Sequence, residues 1–598
     1  MNWSKLTFFS KALITLVAAG AIGTAVYFLS PGLKTSESKK LDKLEVTDTD
    51  INNVTTSAEL PLPSAEPSTQ VSSKPLIKLA GYAWNAQSGI MVANGGPKTT
   101  KGSVMEQNGV NLEIIRQDWL TELRNLQLKF VEDYDKGENF PKQGVAGIII
   151  MGDGVPYYLS STQQTLDEKY GKGKYILQVV GAVGLSYGED KLIGPPSWKL
   201  SPQSMKGALI STVIGDGDWV VAVNYAFANN IKVNPDPATY DAEAVNFIAA
   251  ANDDYVEASK DLIKSQKENY TVSLKEVKNG KLTGKTINKK VDGCATWTPG
   301  DKMVFDELTG FTDIVSTKEF NNQMATTIIM VKRWAEANKQ IVSNILKSSF
   351  IASNQVKQYD SWKKRAAEAV AKTFNMENAD YWYNMFKGQK GEKNNIPYNM
   401  GGSRVFNLAD ANQYYGITDG TNRYKAVYDQ VSKYLKDLNP AGFNQNVTRI
   451  VPYDEAVNLS FIKSIENIDA GKADVSDYSK KATQQVASGD WQINFDVGRA
   501  TLRPEGKDIL EQVYNLLIQA EDSKLELVGH TDNSGTQESN YALSRARAEA
   551  VKNYFIQKGI PAGRFQKLEG KGQDDPVADN TSAAGKSQNR RVAINLLK

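Results

Sequence analysis

The chain has 598 residues and a formal net charge of +2, with 41% hydrophobic and 23% charged residues, a balance typical of folded domains. At about 150 residues per unit, this length predicts roughly four structural units. The small net charge and the lack of a long Lys/Arg-rich run argue against nucleic acid as a partner.

The chain contains one cysteine, Cys294, and one histidine, His530. This excludes an intrachain disulfide, a Cys/His zinc site and a Ser-His-Asp triad away from His530. Cys294 lies in a strand-like apolar run and is predicted to be a buried core thiol. His530 is interpreted as a structural loop residue, and no cofactor or metal is predicted.

The first segment is predicted to be a membrane anchor. Residues 12–29 carry no charge and follow Lys5 and Lys11, and about 20 apolar residues cross a bilayer. The positive flank predicts that residues 1–30 comprise a cytoplasmic tip and a single inner-membrane helix, with the rest of the chain in the periplasm. The alternative is a signal peptide cleaved near Ala19–Ala21, which would leave a soluble periplasmic protein. The segment lacks Asp and Glu, which argues against a proton-driven flagellar stator.

Residues 31–75 are predicted to form a disordered linker. They are rich in Ser, Thr, Pro, Asp and Glu and contain no aromatic residue. Such a composition offers too little apolar surface to bury a core.

Residues 76–467 alternate strand-like and helical runs, the pattern of α/β domains. The first part has strands at 76–82, 110–116, 145–151 and 175–183, and helices at 88–94, 119–133 and 159–172. A second lobe is predicted from about residue 201, with a strand at 208–213, a helix at 219–229 and a strand at 293–297.

Four segments of this region carry a resemblance: Leu79–Trp84, Lys206–Gly207, Asp292–Pro299 and Tyr453–Val457. They are similar in order to periplasmic substrate-binding proteins of the type II fold, nearest the nitrate/sulfonate/taurine class. The resemblance implies a two-lobed domain, as in ABC transporter systems, with ligand in the cleft at the carboxyl ends of strands. This chain departs from that class by a positively charged hairpin at 275–285, by helical material at 362–399 and by its anchor. The hairpin is interpreted as a solvated edge or a docking surface.

Loops facing such a cleft supply an aromatic and acidic lining: Trp84, Asn85, Asp153, Asp216, Asp218, Trp219 and Trp297. The carboxylates would repel nitrate or a sulfonate, and the indoles offer cation–π faces. The combination favours an amine-bearing, zwitterionic or cationic small molecule. The alternatives are a helix N-cap for each Asp and ordinary core for each Trp.

Residues 468–489 turn small and polar and are predicted to be a second linker. In residues 490–598, Pro504 opens a helix, 525–528 is a strand, Ser539 is the predicted N-cap of a helix to Lys558, and 592–596 is a closing strand. The prediction is a small α/β sandwich with a polar loop between strand and helix.

That loop reads Gly529-His530-Thr531-Asp532-Asn533-Ser534-Gly535, followed by Asn540, Leu543–Ala548 and Asn589–Val592. The pattern resembles the OmpA-like peptidoglycan-binding domain. Asp532 follows a strand and Arg547 lies two turns into the next helix, so both side chains can reach one pocket and hold an amine and a carboxylate on one carbon. The resemblance implies that they hold meso-diaminopimelate of the peptidoglycan stem peptide, with Thr531, Asn540 and Arg590 lining the site. The alternative is an internal Asp–Arg ion pair that binds nothing.

Three functions follow from these patterns. The first is a membrane-anchored periplasmic protein that binds peptidoglycan and presents a solute-binding domain. The second is a structural tether between membrane and wall whose middle domain binds a protein partner. An enzyme is disfavoured, because the middle region has no histidine and nothing in its spacing singles out Asp153 with Asp218 as an acid–base pair.

Overall fold

A computed structural model describes residues 44–46, 58–443, 447–491, 493, 495 and 498–598. The predicted anchor, residues 12–29, lies outside these described residues. Within them, no helix combines the length and the apolar character needed to cross a membrane. The described chain is a mixture of helices and strands, which confirms the α/β class.

The strands and helices alternate along most of the chain. The strands are β1 (Leu44–Val46), β2 (Leu76–Gly81), β3 (Asn111–Arg116), β4 (Gly147–Met151), β5 (Leu177–Ser186), β6 (Lys191–Gly194), β7 (Leu209–Thr212), β8 (Lys232–Asn234), β9 (Thr239–Asp241), β10 (Ala244–Ala249), β11 (Val272–Lys278), β12 (Lys281–Lys289), β13 (Gly293–Thr296), β14 (Thr312–Ser316), β15 (Ala325–Val331), β16 (Gln389–Lys393), β17 (Ile396–Met400), β18 (Ser403–Val405), β19 (Gln485–Trp491), β20 (Lys524–Gly529), β21 (Phe565–Gly570) and β22 (Val592–Leu597). The helices are α1 (Ser88–Asn94), α2 (Val104–Gln107), α3 (Leu120–Asp135), α4 (Val155–Tyr170), α5 (Ser197–Leu200), α6 (Gly217–Ala228), α7 (Tyr255–Glu268), α8 (Gly300–Glu307), α9 (Lys332–Ala337), α10 (Lys339–Gln358), α11 (Asp360–Phe374), α12 (Ala379–Lys387), α13 (Leu408–Tyr414), α14 (Arg423–Leu438), α15 (Tyr453–Ala456), α16 (Ser460–Lys463), α17 (Pro504–Gln519), α18 (Gln537–Gln557) and α19 (Ala583–Asn589).

The first six-stranded sheet, sheet A, has the strand order β18-β5-β15-β4-β2-β3. β2 runs parallel to β3 and β4, and β15 runs antiparallel to β4 and β5. All residues of β4 and β5 are buried, because both strands consist mainly of apolar and small residues at the centre of the sheet. The strands predicted at 76–82, 110–116 and 145–151 are confirmed.

The second six-stranded sheet, sheet B, has the order β14-β6-β13-β7-β10-β8. β7 runs parallel to β10 and β13, while β6 runs antiparallel to β13 and β14. The predicted strands at 208–213 and 293–297 are confirmed, as is the helix at 219–229. Sheet B already begins at Lys191, before the predicted start near residue 201, because the four-residue strand β6 is too short to stand out by periodicity.

The chain passes between sheets A and B at two crossovers, residues 187–190 and 317–324. Ser186 Oγ lies 2.7 Å from Thr317 Oγ1, and the Thr317 N–H donates to the Asp190 carbonyl oxygen at 3.0 Å. The two crossovers therefore lie side by side.

The predicted hairpin at 275–285 is confirmed as β11 and β12, which join at a two-residue turn with φ of 51° at Asn279 and 74° at Gly280. The helical prediction for 362–399 is correct for α11 and α12 and wrong beyond them. There β16 and β17 pair through a turn at Asn394 and Asn395, with φ of 52° and 61°. Asn tolerates this left-handed conformation better than other side chains do.

The prediction of a disordered linker over residues 31–75 is wrong for residues 58–75. Val71 is buried, the Leu60 N–H donates to Gln355 Oε1 at 2.9 Å, and the Trp362 indole N–H donates to the Leu60 carbonyl at 3.0 Å. β1 also pairs with β16. The segment has little core of its own and is held by groups on α10 and α11, which its composition does not reveal. Residues 31–43 and 47–57 lie outside the described residues.

The C-terminal region forms a four-stranded sheet of order β19-β22-β20-β21, with α17 and α18 packed against it. Residues 485–489, predicted as linker, belong to β19, which pairs with the closing strand β22. Helix α18 begins before the predicted position, because Thr536 is the N-cap and Ser539 completes a capping box with it.

The C-terminal region packs against both crossovers through the end of α17. The Asn322 N–H donates to the Gln519 carbonyl at 2.9 Å. The Tyr187 hydroxyl donates to Asp522 Oδ2 at 3.0 Å. The segment that joins α17 to β20 is therefore bound to the place where sheets A and B are connected.

An ion pair adds to this contact. The Arg423 guanidinium donates to Glu521 through Nε at 2.6 Å and through Nη2 at 2.8 Å. Arg423 is buried, so both hydrogen bonds are shielded from solvent. Burial lowers the pKa of Arg423, but the hydrogen bonds to Glu521 outweigh this effect and raise the pKa above its ordinary value.

Arg564 closes the carboxyl end of α17. It is fully buried, and its guanidinium donates to the carbonyl oxygens of Leu517 at 2.7 Å, Ala520 at 2.6 Å and Ser523 at 2.8 Å. Helix carbonyls at this end have no partner inside the helix and carry the negative end of its dipole. One buried cation therefore satisfies a carbonyl of the last turn, the carbonyl of the C-cap residue Ala520 and the Ser523 carbonyl of the loop that follows.

We expect Arg564→Ala to reduce the local free energy of opening of α17 by about 3 kcal/mol, because it leaves buried carbonyls without donors. Hydrogen exchange of the amides near Leu517 measures this change. Lys558→Ala, which removes an exposed ion pair with Glu511, is the matched control and should cost about 0.5 kcal/mol or less. Equal protection in both variants would contradict the role given to Arg564.

Candidate functional site

The first candidate site, the C-terminal site, lies in the loop between β20 and α18. The loop backbone is held in place because the His530 N–H donates to the Arg591 carbonyl at 2.9 Å and the Thr531 N–H donates to the Gly572 carbonyl at 2.8 Å. Burial lowers the pKa of His530, as does the charge of Arg591, so the imidazole stays neutral at pH 7. These contacts place Asp532 just beyond the carboxyl end of β20.

Asp532 is largely buried and forms an ion pair with Arg590, whose Nη1 lies 2.7 Å from Asp532 Oδ2. Its other oxygen, Oδ1, accepts a hydrogen bond from the Ser534 N–H at 2.9 Å. Burial raises the pKa of Asp532, but the hydrogen bonds from Arg590 and Ser534 outweigh it and lower the pKa below its ordinary value. Asp532 is therefore a carboxylate at neutral pH.

Arg547 lies close enough to this pair to feel both charges but does not bond Asp532. It is buried, its Nε donates to the Arg499 carbonyl at 3.2 Å, and its guanidinium lies 5.0 Å from the Phe495 ring centre. Burial lowers the pKa of Arg547, and the charge of Arg590 lowers it further. Among the described residues no carboxylate is paired with Arg547, so the site holds two guanidiniums for one carboxylate.

The structure thus brings the predicted residues of this site together, with one difference in pairing. The Asn540 amide donates to Gln573 Oε1 at 2.9 Å and to the Asp532 carbonyl at 3.4 Å. The Thr531 hydroxyl is buried without a partner among the described groups. The internal Asp532–Arg547 ion pair, which was the alternative to ligand binding, is not formed among the described residues; Asp532 pairs with Arg590 instead, because the end of α19 places Arg590 against the loop.

The second candidate site lies where the loops of sheet A meet those of sheet B. Trp84 and Asn85 follow β2, and Asp153 follows β4, both in sheet A. Asp216 and Asp218 follow β7 in sheet B. All five are buried.

Hydrogen bonds connect these loops across the two sheets and the first crossover. The Trp84 indole N–H donates to Asp190 Oδ2 at 3.1 Å, and the Tyr82 hydroxyl donates to Asp216 Oδ2 at 3.2 Å. A Cβ built on Gly217 would lie 2.7 Å from Asp153 Oδ1, so the sheet B loop packs directly against this carboxyl group of sheet A.

Carboxyl groups are concentrated at this junction. We name the acidic cluster by its five buried members: Asp153, Glu189, Asp190, Asp216 and Asp218. Lys191, the adjacent cation, is paired with Asp301. Burial raises the pKa of every member, to about 7 for Asp190 and to about 6 for Asp216.

Of the predicted aromatic residues, Trp297 fits the interpretation as cleft lining and Trp219 fits the alternative, ordinary core. Trp297 stacks on Tyr255 with ring centres 3.6 Å apart and donates its indole N–H to the Ala83 carbonyl of sheet A at 3.2 Å. Trp219 packs edge-on against Phe247 of β10 at 6.3 Å and is core of sheet B, because it points from α6 toward that strand. Trp297 therefore lies at the junction of the sheets and Trp219 does not.

Asp216 also serves as the N-cap of α6, because its Oδ1 accepts the Gly217 N–H at 2.9 Å. Glu189 and Asp190, in the first crossover, were not predicted from the sequence. The charged triplet at 189–191, shortly after the buried strand β5, is the sequence signal that could have identified them. Among the residues the structure describes, no three Asp, Glu, His or Cys side chains converge in a way that could hold a metal ion.

Residues 494–590 match the model of the OmpA family. Outer membrane protein A of Bordetella avium is 41% identical over 103 residues, which is 17% of this chain and 53% of that protein. Outer-membrane lipoprotein YfiB of Pseudomonas aeruginosa is 42% identical over 93 residues, which is 16% of this chain and 55% of that protein. The chain spans about half the length of these relatives. The resemblance of the C-terminal region to the OmpA family is confirmed.

Two solved structures are also similar to parts of the chain. The cell wall anchor of the T6SS from Pseudomonas aeruginosa is 30% identical, covering 20% of this chain and 86% of that one with a TM-score of 0.17. The periplasmic aliphatic sulphonate binding protein SsuA from Escherichia coli is 9% identical, covering 64% of this chain and 97% of that one with a TM-score of 0.39. At these TM-scores neither likeness carries an argument about this chain.

The raised pKa of Asp216 predicts a pH-dependent cost of folding. A carboxyl group whose pKa is higher in the folded state favours folding at pH below its unfolded value of 3.8, and this advantage is lost as pH rises through about 6. We expect Asp216→Asn to gain about 3 kcal/mol of stability relative to the unaltered protein between pH 4 and pH 7. Thermal unfolding at several pH values measures this gain.

Each variant is compared with the unaltered protein at the same pH, so that the contributions of ionisable groups present in both proteins cancel. These groups include His530 and Asp532, whose lowered pKa values make stability rise with pH, opposite to the effect of Asp216. Asp437→Asn, at an exposed position on α14, is the control, and its curve of melting temperature against pH should run parallel to that of the unaltered protein. Parallel curves for Asp216→Asn as well would show that this carboxyl group does not titrate within the fold.

Proposed function

We propose that this protein binds peptidoglycan through the C-terminal site and presents the middle region, residues 76–467, as a two-lobed solute-binding domain in the cell envelope. The OmpA family match supports the envelope location and an association with peptidoglycan. The two six-stranded sheets joined by two adjacent crossovers support the two-lobed reading. Residues 12–29 are proposed as the inner-membrane anchor on the basis of their apolar sequence, with a cleaved signal peptide as the alternative.

The ligand of the C-terminal site is proposed to be the amino-acid end of diaminopimelate in the stem peptide. The observation that carries this proposal is Arg547, a buried guanidinium without a carboxylate partner among the described residues, next to the Asp532–Arg590 pair. A ligand carboxylate can bind between Arg547 and Arg590, and the ligand ammonium can bind Asp532. The ligand thus supplies the one negative charge that the site lacks.

The solute of the middle region is proposed to carry an amine. The acidic cluster supports this reading, because its carboxyl groups disfavour anions and favour ammonium groups. Trp84 and Trp297 provide aromatic surface at the same junction.

A structural tether is the second candidate function. The contacts between the C-terminal region and the crossovers favour it, since a load-bearing connection benefits from a middle region bound rigidly to the wall-binding domain. In that case the middle region would bind a protein partner and no metabolite.

We expect Asp532→Ala and Arg547→Ala each to weaken binding to diaminopimelate-type peptidoglycan by about 2 to 5 kcal/mol, because each leaves a buried charge without its partner. Co-sedimentation with purified sacculi measures the loss. Arg545→Ala removes an exposed arginine from the same helix, two positions away, and should leave binding unchanged.

Arg547→Lys distinguishes a bidentate contact from simple charge. A lysine keeps the charge but donates from a single nitrogen, so we expect it to restore only part of the binding. Undiminished retention of the double variant Asp532→Ala/Arg547→Ala on sacculi would refute the proposed site.

The tether and the solute-binding domain differ in their response to small molecules. We expect amines to raise the melting temperature of the full chain and anions such as nitrate and sulfate to leave it unchanged, because a ligand stabilises only the state that binds it. Stabilisation by anions alone would overturn the amine assignment, and no response to either class would favour the tether.

A further inference from the structure

We propose that the acidic cluster binds an aliphatic cation with at least two separate ammonium groups, of the diamine or polyamine class, and that it excludes amino acids and anions. This inference rests on the proposed solute-binding function and narrows its ligand from any amine to a polycation. It is supported by the buried acceptors that lack donors, the number of donors that they require, the charge of the cluster and the aromatic side chains around it.

The cluster contains carboxylate oxygens that are buried without any donor. Both oxygens of Asp218, Oδ1 of Asp153 and Oδ1 of Asp190 have no hydrogen-bond partner among the described groups. Asp218 is only 1% exposed and directly follows Gly217, where an added Cβ would lie 2.7 Å from Asp153 Oδ1. The backbone at Asp218 therefore lies beside the Asp153 carboxyl group in the buried junction. Buried acceptors in folded proteins almost always have donors, so these atoms indicate a missing one.

A neutral amide at the same place shows the same deficit. Asn85 is buried, and its backbone N–H donates to Glu189 Oε1 at 3.0 Å, which places it against the cluster. Its side-chain nitrogen donates to the Trp382 carbonyl at 2.9 Å, while its side-chain oxygen has no partner among the described groups. An amide oxygen does not titrate, so it needs a donor from another group at every pH.

The number of unpaired acceptors sets the number of ammonium groups. The four carboxylate oxygens and the Asn85 oxygen make five acceptors. One primary ammonium has three N–H donors and no acceptor, so a single group cannot satisfy them. Two ammonium groups supply six donors, which is enough for all five acceptors.

The charge of the cluster excludes ligands that carry a carboxylate or sulfonate. Its nearest cation, Lys191, is paired with Asp301 and also donates to the Glu189 carbonyl at 2.8 Å. A ligand anion would therefore meet like charges with no unpaired protein cation to bind it. This separates a diamine from lysine, which has two ammonium groups but also a carboxylate.

The surrounding side chains suit the chain between two ammonium groups. The Trp84 ring is held beside Asp190 by its indole N–H, and the Tyr82 ring is held beside Asp216 by its hydroxyl. Trp297 lies 5.5 Å from the Tyr82 ring. Methylene groups can pack on these rings, and an ammonium can lie over their faces.

Isothermal titration of the full chain at pH 7.5 tests the proposal with 1,4-diaminobutane, 1,5-diaminopentane and spermidine as probes. We expect at least one of them to bind about 10- to 100-fold more tightly than 1-aminobutane, because a second ammonium adds charge-assisted hydrogen bonds. Lysine, taurine and magnesium chloride at equal ionic strength should give no saturable binding.

Two substitutions locate the binding. Asp218→Asn and Asp153→Asn should each weaken diamine binding by about 10-fold or more. Asp218→Asn should also raise the melting temperature of the ligand-free protein, because it removes a buried unpaired carboxylate, whereas the loss of a purely structural residue would lower it. Asp454→Asn, an exposed acidic residue of α15, is the control and should change neither quantity.

The outcomes separate this inference from the broader function. If 1-aminobutane or lysine binds as tightly as the diamines and Asp218→Asn weakens that binding, the polycation assignment is wrong and solute binding stands. Diamine binding that neither substitution weakens, or that magnesium matches, also overturns the assignment. If no probe binds, the assignment and the solute-binding function both fail, and the tether remains.

Discussion

The burial of five carboxyl groups between sheets A and B is the constraint around which the middle region is arranged. Removing a carboxylate from water costs several kcal/mol unless donors or a cation replace the solvent. The fold supplies some donors in the form of side chains with an apolar body and a polar tip. Trp84 donates to Asp190, Tyr82 to Asp216, and Gln323 to Asp153 at 2.7 Å. The remaining acceptors, both oxygens of Asp218 and Oδ1 of Asp153 and of Asp190, have no donor among the described groups.

The C-terminal domain is placed so that both sites can function at once. Its contact with the crossovers precedes β20, and Asp532 follows β20 at the other end, about 20 Å away for a six-residue strand. Docking therefore leaves the peptidoglycan site uncovered. A chain of hydrogen bonds also joins the domain to the cluster: Asn224 donates to Gln519 and to Gln323, each at 2.8 Å, and Gln323 donates to Asp153. If sheets A and B moved apart, these hydrogen bonds would have to break or the C-terminal domain would have to move with them.

Sequence reasoning located the parts of the fold whose signals are local. Buried strands and helix starts are predicted from apolar runs, and Asp153 is predicted at the junction because the resemblance to type II substrate-binding proteins places the ligand at the carboxyl ends of strands. Contacts between distant segments were missed: residues 58–75 are held by groups on α10 and α11 and by residues 99–106, and Glu189 lies in a crossover whose partner is more than a hundred residues away. The pairing of Asp532 with Arg590 was likewise set by tertiary packing, which spacing along one helix does not reveal.

The two sites carry excess charge of opposite sign, so they favour different ligands. Among the described residues the C-terminal site holds two guanidiniums and one carboxylate, which suits the proposed ligand with an ammonium and a carboxylate. The acidic cluster has no unpaired cation beside it in the part of the chain that the structure describes, so the same zwitterion would be repelled there. A stem peptide released from the wall would therefore not compete for the middle region, and a diamine would find only one carboxylate, already paired with Arg590, in the C-terminal site. Under the proposed functions, this difference in charge would let one chain bind the wall and a soluble cation at the same time without exchange between the sites.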